Sequence, residues 1–233
     1  MNTNHIIAMF DLDGTLFDTA QAIPLAFNGA FRELGLSELP LKTIKETIGL
    51  PLEKAFSVLL HLPVANPLVD HAVDEYQKQF RNTILPLAKS LLFPDVVNGL
   101  ETLKHSGLRL SVTTNKFAQS ANTLLAAAGI AHFFDIVVCA DEVNEKKPNP
   151  ESGQKILDYF AAKKSHAVMV GDTTHDILMA NNLGCESIAV TYGIHDEDTL
   201  HTASPGSIAN DFNEVVQHCQ QFHQSKSRLF ILC

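Results

Sequence analysis

The chain has 233 residues, 45% of them apolar, and a formal net charge of −9. That length suits one large domain or a domain carrying an insertion, with enough apolar material for a sizeable core. The acidic balance, with no basic patch, argues against nucleic acid as a partner, and no apolar run is long enough to cross a bilayer.

Ile6 to Phe10 is an apolar run with β-branched and aromatic residues, and it ends in Asp11-Leu12-Asp13-Gly14-Thr15. It reads as a buried strand leading into a tight turn. The two acids then lie at the strand's carboxyl end, which faces the ligand crevice in open α/β sheets. Spaced i, i+2 on extended backbone, they lean the same way. That suits a carboxylate nucleophile with a proton-holding partner. The same residues also serve as turn formers, with Thr15 as a helix cap.

After Leu16 the apolar period becomes helical. Ala22, Leu25, Ala26, Gly29, Ala30 and Leu34 recur at helical steps before Gly35. Thr43 to Ile48, Leu52 to Leu60 and Val69 to Ile84 read as further helices. No strand is expected between residues 17 and 85. That block reads as a small helical domain inserted after the first strand, with Lys42, Lys45, Lys54, Asp70, Asp74, Lys78 and Arg81 on its solvated faces. Residues 1–16 and 86–233 then form the core domain.

Past Pro86, helices and strands alternate. Helices are expected over 96–105, 118–128, 151–162, 177–183 and 213–222. Strands are expected over 108–112, 136–139, 167–170 and 187–190, with a last one near Ile208-Ala209. This alternation implies a parallel sheet covered on both faces. The tail from Ser225 to Cys233 is assigned nothing. The four cysteines, Cys139, Cys185, Cys219 and Cys233, are too scattered for zinc. With no secretion signal visible, a reducing cytoplasm is the expected setting. The eleven histidines make no metal spacing.

Three strands end in polar signatures: Asp11-Leu12-Asp13-Gly14-Thr15, Thr114-Asn115, and Gly171-Asp172-Thr173-Thr174-His175-Asp176. Between the last two lies Glu145-Lys146-Lys147-Pro148-Asn149-Pro150. In this the chain resembles the haloacid dehalogenase superfamily of phosphotransferases, whose four motifs occur here in order. The inserted block is similar to the small cap of the phosphoglycolate phosphatase branch. The resemblance implies a Rossmann-like parallel α/β sheet sandwiched by helices, with an inserted α-helical cap.

By the same resemblance, Asp11 is the nucleophile and becomes an aspartyl-phosphate. Asp13 gives a proton to the leaving oxygen and then activates water. Thr114 offers its hydroxyl to the phosphoryl group, and Lys147 orients Asp11. Lys147 is chosen over Lys146 because it directly precedes Pro148; Lys146 is expected in solvent, as is His175. The family binds Mg²⁺ through Asp11, the Asp13 backbone carbonyl and Asp172, with Asp176 as a further ligand or a holder of the ion's waters. Two carboxylates ~4 Å apart repel by roughly 4 kcal/mol at an effective dielectric of 20, so such a cluster needs cations. Oxygen donors alone point to a hard ion. Thr15 and Asn115 are expected beside the substrate. Lys45 stands where relatives often carry a basic cap residue, and reads equally as a solvated lysine. Thr114, Asn115, Asp172 and Asp176, each taken singly, also read as strand-end, turn and capping residues.

The implied activity is hydrolysis of a small phosphorylated metabolite, with 2-phosphoglycolate as first guess and a monomer or homodimer as the acting form. A sugar-phosphate mutase is the main alternative. Those relatives carry a histidine in the helix after the first motif, and Ala20 to Phe31 contains none. Dehalogenases lack the second acid of the first motif, which is present here as Asp13. A phospho-ligand sensor without turnover has no support, because every catalytic position is filled.

Overall fold

A computed structural model describes residues 5–231. Six strands form one parallel sheet: β1 (Ile7–Phe10), β2 (Arg109–Thr113), β3 (Ile136–Val138), β4 (Ala167–Gly171), β5 (Glu186–Val190) and β6 (Ser207–Ala209), in the spatial order β3-β2-β1-β4-β5-β6. The order reverses beside β1, which makes its carboxyl end the crevice of a doubly wound sheet. The register sets Phe10 beside Val112 and Val170. β1, β2 and β4 therefore end nearly level, and the residues that follow them share one pole.

Side chains alternate along β1. Ala8 and Phe10 join one apolar cluster, and Ile7 and Met9 the other. Helices α5 (Val96–His105) and α10 (Phe212–Ile231) cover the first face through Leu100, Leu103, Phe212 and Val215. Helices α7 (Glu151–Tyr159) and α8 (Thr174–Leu183) cover the second through Ile156, Leu157, Met179 and Leu183. Both faces of a parallel sheet are apolar for this reason. A further helix, α6 (Ala118–Ala128), follows β2.

The block after β1 is helical: α1 (Ala22–Glu33), α2 (Leu41–Lys45), α3 (Leu52–Leu60) and α4 (Pro67–Gln79), the last running into a wider turn over Phe80–Ile84. Phe27, Phe31, Phe56, Tyr76 and Phe80 form its aromatic centre, with ring centroids 4.5 to 6.3 Å apart. Such contacts add to simple area burial. The chain enters and leaves side by side. Asp18 N–H donates to Leu91 C=O (2.7 Å), and Phe93 N–H to Leu16 C=O (3.1 Å).

Several boundaries differ from expectation. The helix expected over Thr43 to Ile48 spans Leu41–Lys45, with Pro40 in extended backbone (ψ 136°) as its N-cap. The helix expected from Val69 begins at Pro67, capped by the Asn66 side chain on Leu68 N–H. The helix expected from Ile177 begins at Thr174, because Thr173 and Asp176 form a capping box. The helix expected to reach Ala162 ends at Tyr159. A short helix, α9 (Glu197–His201), capped by Asp196, adds to the elements expected from the sequence. The final helix runs on to Ile231, so most of the tail left unassigned continues it; residues 232 and 233 lie outside the described residues. Among the described residues no helix is long and apolar enough to cross a membrane.

Candidate active site

Asp11 follows β1, Thr114 follows β2 and Asp172 follows β4. Level strand ends place all three at the crevice, and the first turn of α8 adds Asp176 beside them. One carboxylate oxygen each of Asp11, Asp172 and Asp176 lies within 4.8 Å of the others, and all three residues are buried. Lys147 reaches into this group from the loop before α7. Its ammonium donates to Asp11 Oδ1 (2.7 Å), Asp176 Oδ1 (2.6 Å) and Thr113 C=O (3.0 Å). Those three bonds use every proton an ammonium carries.

Asp172 and Asp176 are tied down further. Asp172 accepts from Thr15 Oγ1 (3.0 Å) on Oδ1 and from Ile194 N–H (2.8 Å) on Oδ2. Asp176 Oδ2 accepts from Thr173 N–H (3.0 Å) and Oγ1 (2.7 Å). Capping of α8 and presentation of Asp176 are thus one arrangement. Gly14, at φ +89°, leaves room for Asp172: a Cβ there would collide with its carboxylate. A Cβ at Gly193 would collide with Asp172 as well.

Burial dominates the electrostatics. It raises Asp11 to about 7, against the downward pull of Lys147 and with a further push from Asp176. Burial, then Asp176 and Asp11, raise Asp172 well above the carboxylate range. Burial pulls the Lys147 ammonium down, but Asp11 and Asp176 outweigh it and leave the lysine firmly charged. Three buried carboxylates thus face one fixed ammonium. Their donors are all hard oxygens, with neither thiolate nor imidazole in the set, and this fits a hard divalent cation. Asp11, Asp172 and Asp176 would hold it.

Asp13 lies apart from that trio in its bonding. Its Oδ2 accepts from the Lys116 ammonium at 2.7 Å, and its Oδ1 is buried with no partner. Lys116 is itself buried and sits 4.6 Å from the centre of the Phe80 ring. Burial pulls its pKa down, but Asp13 and Tyr76 carry it above the usual lysine value. Lys116 was not singled out from the sequence as a site residue. Its signal was its position after Thr114-Asn115, at a strand end that also carries chemistry.

Asp11, Asp13, Lys116, Lys147 and Asp176 floor a partly open chamber of about 70 Å³. A single buried water needs roughly 10–15 Å³ by the same measure, so the space suits a small group. Thr114 lies in the floor, and its hydroxyl accepts from Lys116 N–H (3.2 Å). The roof comes from the helical block: Ile23, Phe27, Ile48, Leu50, Leu52 and Tyr76.

Three expected substrate contacts stand differently. Thr15 is fully buried and spends its hydroxyl on Asp172, so it positions that acid and does not line the chamber. Asn115 reaches the chamber, but its amide is committed to backbone. Nδ2 donates to Gly49 C=O (2.8 Å) and Lys147 C=O (3.2 Å), and Oδ1 accepts from Lys147 N–H (3.0 Å). It therefore ties roof to floor and fixes the loop that carries Lys147. Lys45 lines a separate cleft with Lys42, Glu46 and His195, away from the chamber. Lys146, expected in solvent, is half-buried and pairs with Glu53 of the roof. His175, also expected in solvent, is half-buried, with Nδ1 enclosed and unpartnered.

Residues 8–190 match a family model described as haloacid dehalogenase-like hydrolase. "Probable phosphatase IndB" of Dickeya dadantii is 48% identical over 210 residues, covering 90% of this chain and 91% of that one. Pyrophosphatase PpaX of Halalkalibacterium halodurans is 32% identical, covering 89% and 94%. A phosphoglycolate phosphatase of Nitrosospira multiformis is 31% identical, covering 91% and 95%.

Proposed function

We propose that this chain, which belongs to the haloacid dehalogenase-like hydrolase family, is a Mg²⁺-dependent phosphomonoesterase acting through an aspartyl-phosphate on Asp11. The observation that carries the reading is the pairing of Asp11 with Lys147 at the floor of a chamber roofed by apolar side chains, beside a second acid with one free oxygen. Residues 17–85 are taken as the cap, and residues 1–16 and 86–233 as the core.

In this reading an Asp11 carboxylate oxygen attacks phosphorus while the bond to the alcohol oxygen breaks. Asp13 gives that oxygen its proton through Oδ1, while Lys116 holds Oδ2. Asp13 then takes a proton from the water that attacks the aspartyl-phosphate, which releases phosphate and restores Asp11. Lys147 fixes the nucleophile and offsets negative charge on the transferring group, and Thr114 offers its hydroxyl to a phosphoryl oxygen. When bound among Asp11, Asp172 and Asp176, with the Asp13 carbonyl, Mg²⁺ supplies charge neutralisation for an anionic nucleophile meeting an anionic phosphate. The roof excludes water from the acyl-phosphate until Asp13 is ready to activate one.

The relative named phosphoglycolate phosphatase makes 2-phosphoglycolate the first compound to assay, with pyrophosphate beside it. The free cysteines Cys139, Cys185 and Cys219 suit a reducing cytoplasm as the setting. Phosphate release from a panel of phosphorylated metabolites with Mg²⁺ tests the reading. Wild-type protein is expected to turn over, and Asp11→Asn to be inactive yet folded. Undiminished hydrolysis by Asp11→Asn would remove Asp11 as nucleophile.

A further inference from the structure

The chamber's two walls differ in kind. The floor is polar and charged, while the roof above it presents Ile23, Phe27, Ile48, Leu50, Leu52 and the ring of Tyr76. Two cations line the chamber, Lys116 and Lys147, and both are engaged. Lys147 makes three bonds to Asp11, Asp176 and Thr113, and Lys116 is paired with Asp13. Of the lysines flanking the roof residues in sequence, Lys45 opens on a different cleft, and Lys54 is exposed and does not line the chamber. Thr47, a polar roof residue, already gives its hydroxyl to Ile44 C=O at 2.8 Å.

From this asymmetry we infer that the substrate's leaving alcohol is uncharged, with an apolar or flat body packed under the roof. The inference rests on the phosphomonoesterase reading and narrows it. The phosphoryl group lies on the charged floor, so the rest of the molecule extends toward the apolar side. A carboxylate there, as in 2-phosphoglycolate, or a second phosphate, as in pyrophosphate, would be taken from water with no free cation to meet it. It would also approach the Asp13 carboxylate. An uncompensated buried charge is among the most costly arrangements a site can hold. An alkyl or ring carbon in the same place gains from leaving water.

The test compares methyl, ethyl, n-propyl and n-butyl phosphates, then isobutyl phosphate against 2-phosphoglycolate, of which it is the neutral isostere. Phosphate release is followed with Mg²⁺, and acetyl phosphate serves as a generic donor. At about 0.8 kcal/mol per buried methylene, kcat/KM is expected to rise roughly fourfold per added carbon. Isobutyl phosphate is expected to exceed 2-phosphoglycolate at least about tenfold, although glycolate is the better leaving group. In Leu52→Lys that ratio should shift toward 2-phosphoglycolate by at least about tenfold. A flat alkyl series, a preference for 2-phosphoglycolate in the wild type, or an unmoved ratio in Leu52→Lys overturns the inference. If acetyl phosphate is cleaved in those cases, the phosphatase reading survives. If nothing on the panel releases phosphate, both fall together.

Discussion

Replacing Lys147 with methionine keeps the length of the side chain and removes one positive charge. Three bonds go with it, to Asp11, Asp176 and the Thr113 carbonyl. Asp11, Asp172 and Asp176 then face one another without a fixed countercharge. Breaking a buried pair by deleting one partner costs about 3–5 kcal/mol. For a chain of this length each kcal/mol moves Tm by roughly 2–4 °C, so the melting point in EDTA at pH 8 is expected to fall by about 6–20 °C. The pH dependence gives the sharper check. Asp11 is held up at about 7 by burial, even with Lys147 beside it. Without Lys147 the folded state binds a proton more readily still. Lowering the pH therefore favours the folded variant relative to wild type, and the deficit should shrink at pH 5.5. In an Asp11→Asn background the same substitution should cost less, because one of the stranded charges is already gone. Calorimetric melting of the four proteins at both pH values measures all of this. A deficit absent at pH 8, or larger at pH 5.5, would refute the electrostatic account of the site.

Mg²⁺ should raise Tm of the wild type at pH 8. At a hundredfold excess over Kd the gain is about 2.7 kcal/mol. The gain should shrink at pH 5.5, since Asp11 and Asp172 have folded pKa values above the ordinary carboxylate range and must lose protons to bind a cation; a shift unchanged between the two pH values, seen by differential scanning fluorimetry, would contradict this. Lys116→Met should lower kcat on alkyl phosphates by roughly tenfold to a hundredfold, part of the 10²–10⁴ that acid–base catalysis supplies. Acetyl phosphate, whose leaving group needs no proton, should be affected much less, and equal losses on both substrates would deny Lys116 a role through Asp13. Gly14→Ala places a Cβ on the Asp172 carboxylate at a backbone angle that L residues avoid; it should lower Tm and abolish the Mg²⁺-dependent stabilisation, and isothermal titration showing native Mg²⁺ binding would count against the packing described.

Much of this protein is legible locally. The apolar run before Asp11, the helical period over 22–33 and the glycines that close helices all express backbone rules acting within a few residues. They place each motif at a strand end, and a parallel sheet brings strand ends of one polarity to one pole. The convergence of Asp11, Asp172 and Asp176 follows from that rule, whereas Lys147 reaches them from a loop. Partner choice does not follow from it. Thr15 and Asn115 each carry a hydrogen-bonding group suited to a substrate. Only the tertiary packing assigns the first to Asp172 and the second to the Gly49 and Lys147 backbones. Lys116, Lys146 and Lys45 are indistinguishable as lysines in sequence. The folded chain sends them to Asp13, to Glu53 and to a separate cleft. A long flexible side chain is directed by whatever buried charge it can neutralise. That charge lies about a hundred residues away for Lys116, a separation no local pattern spans.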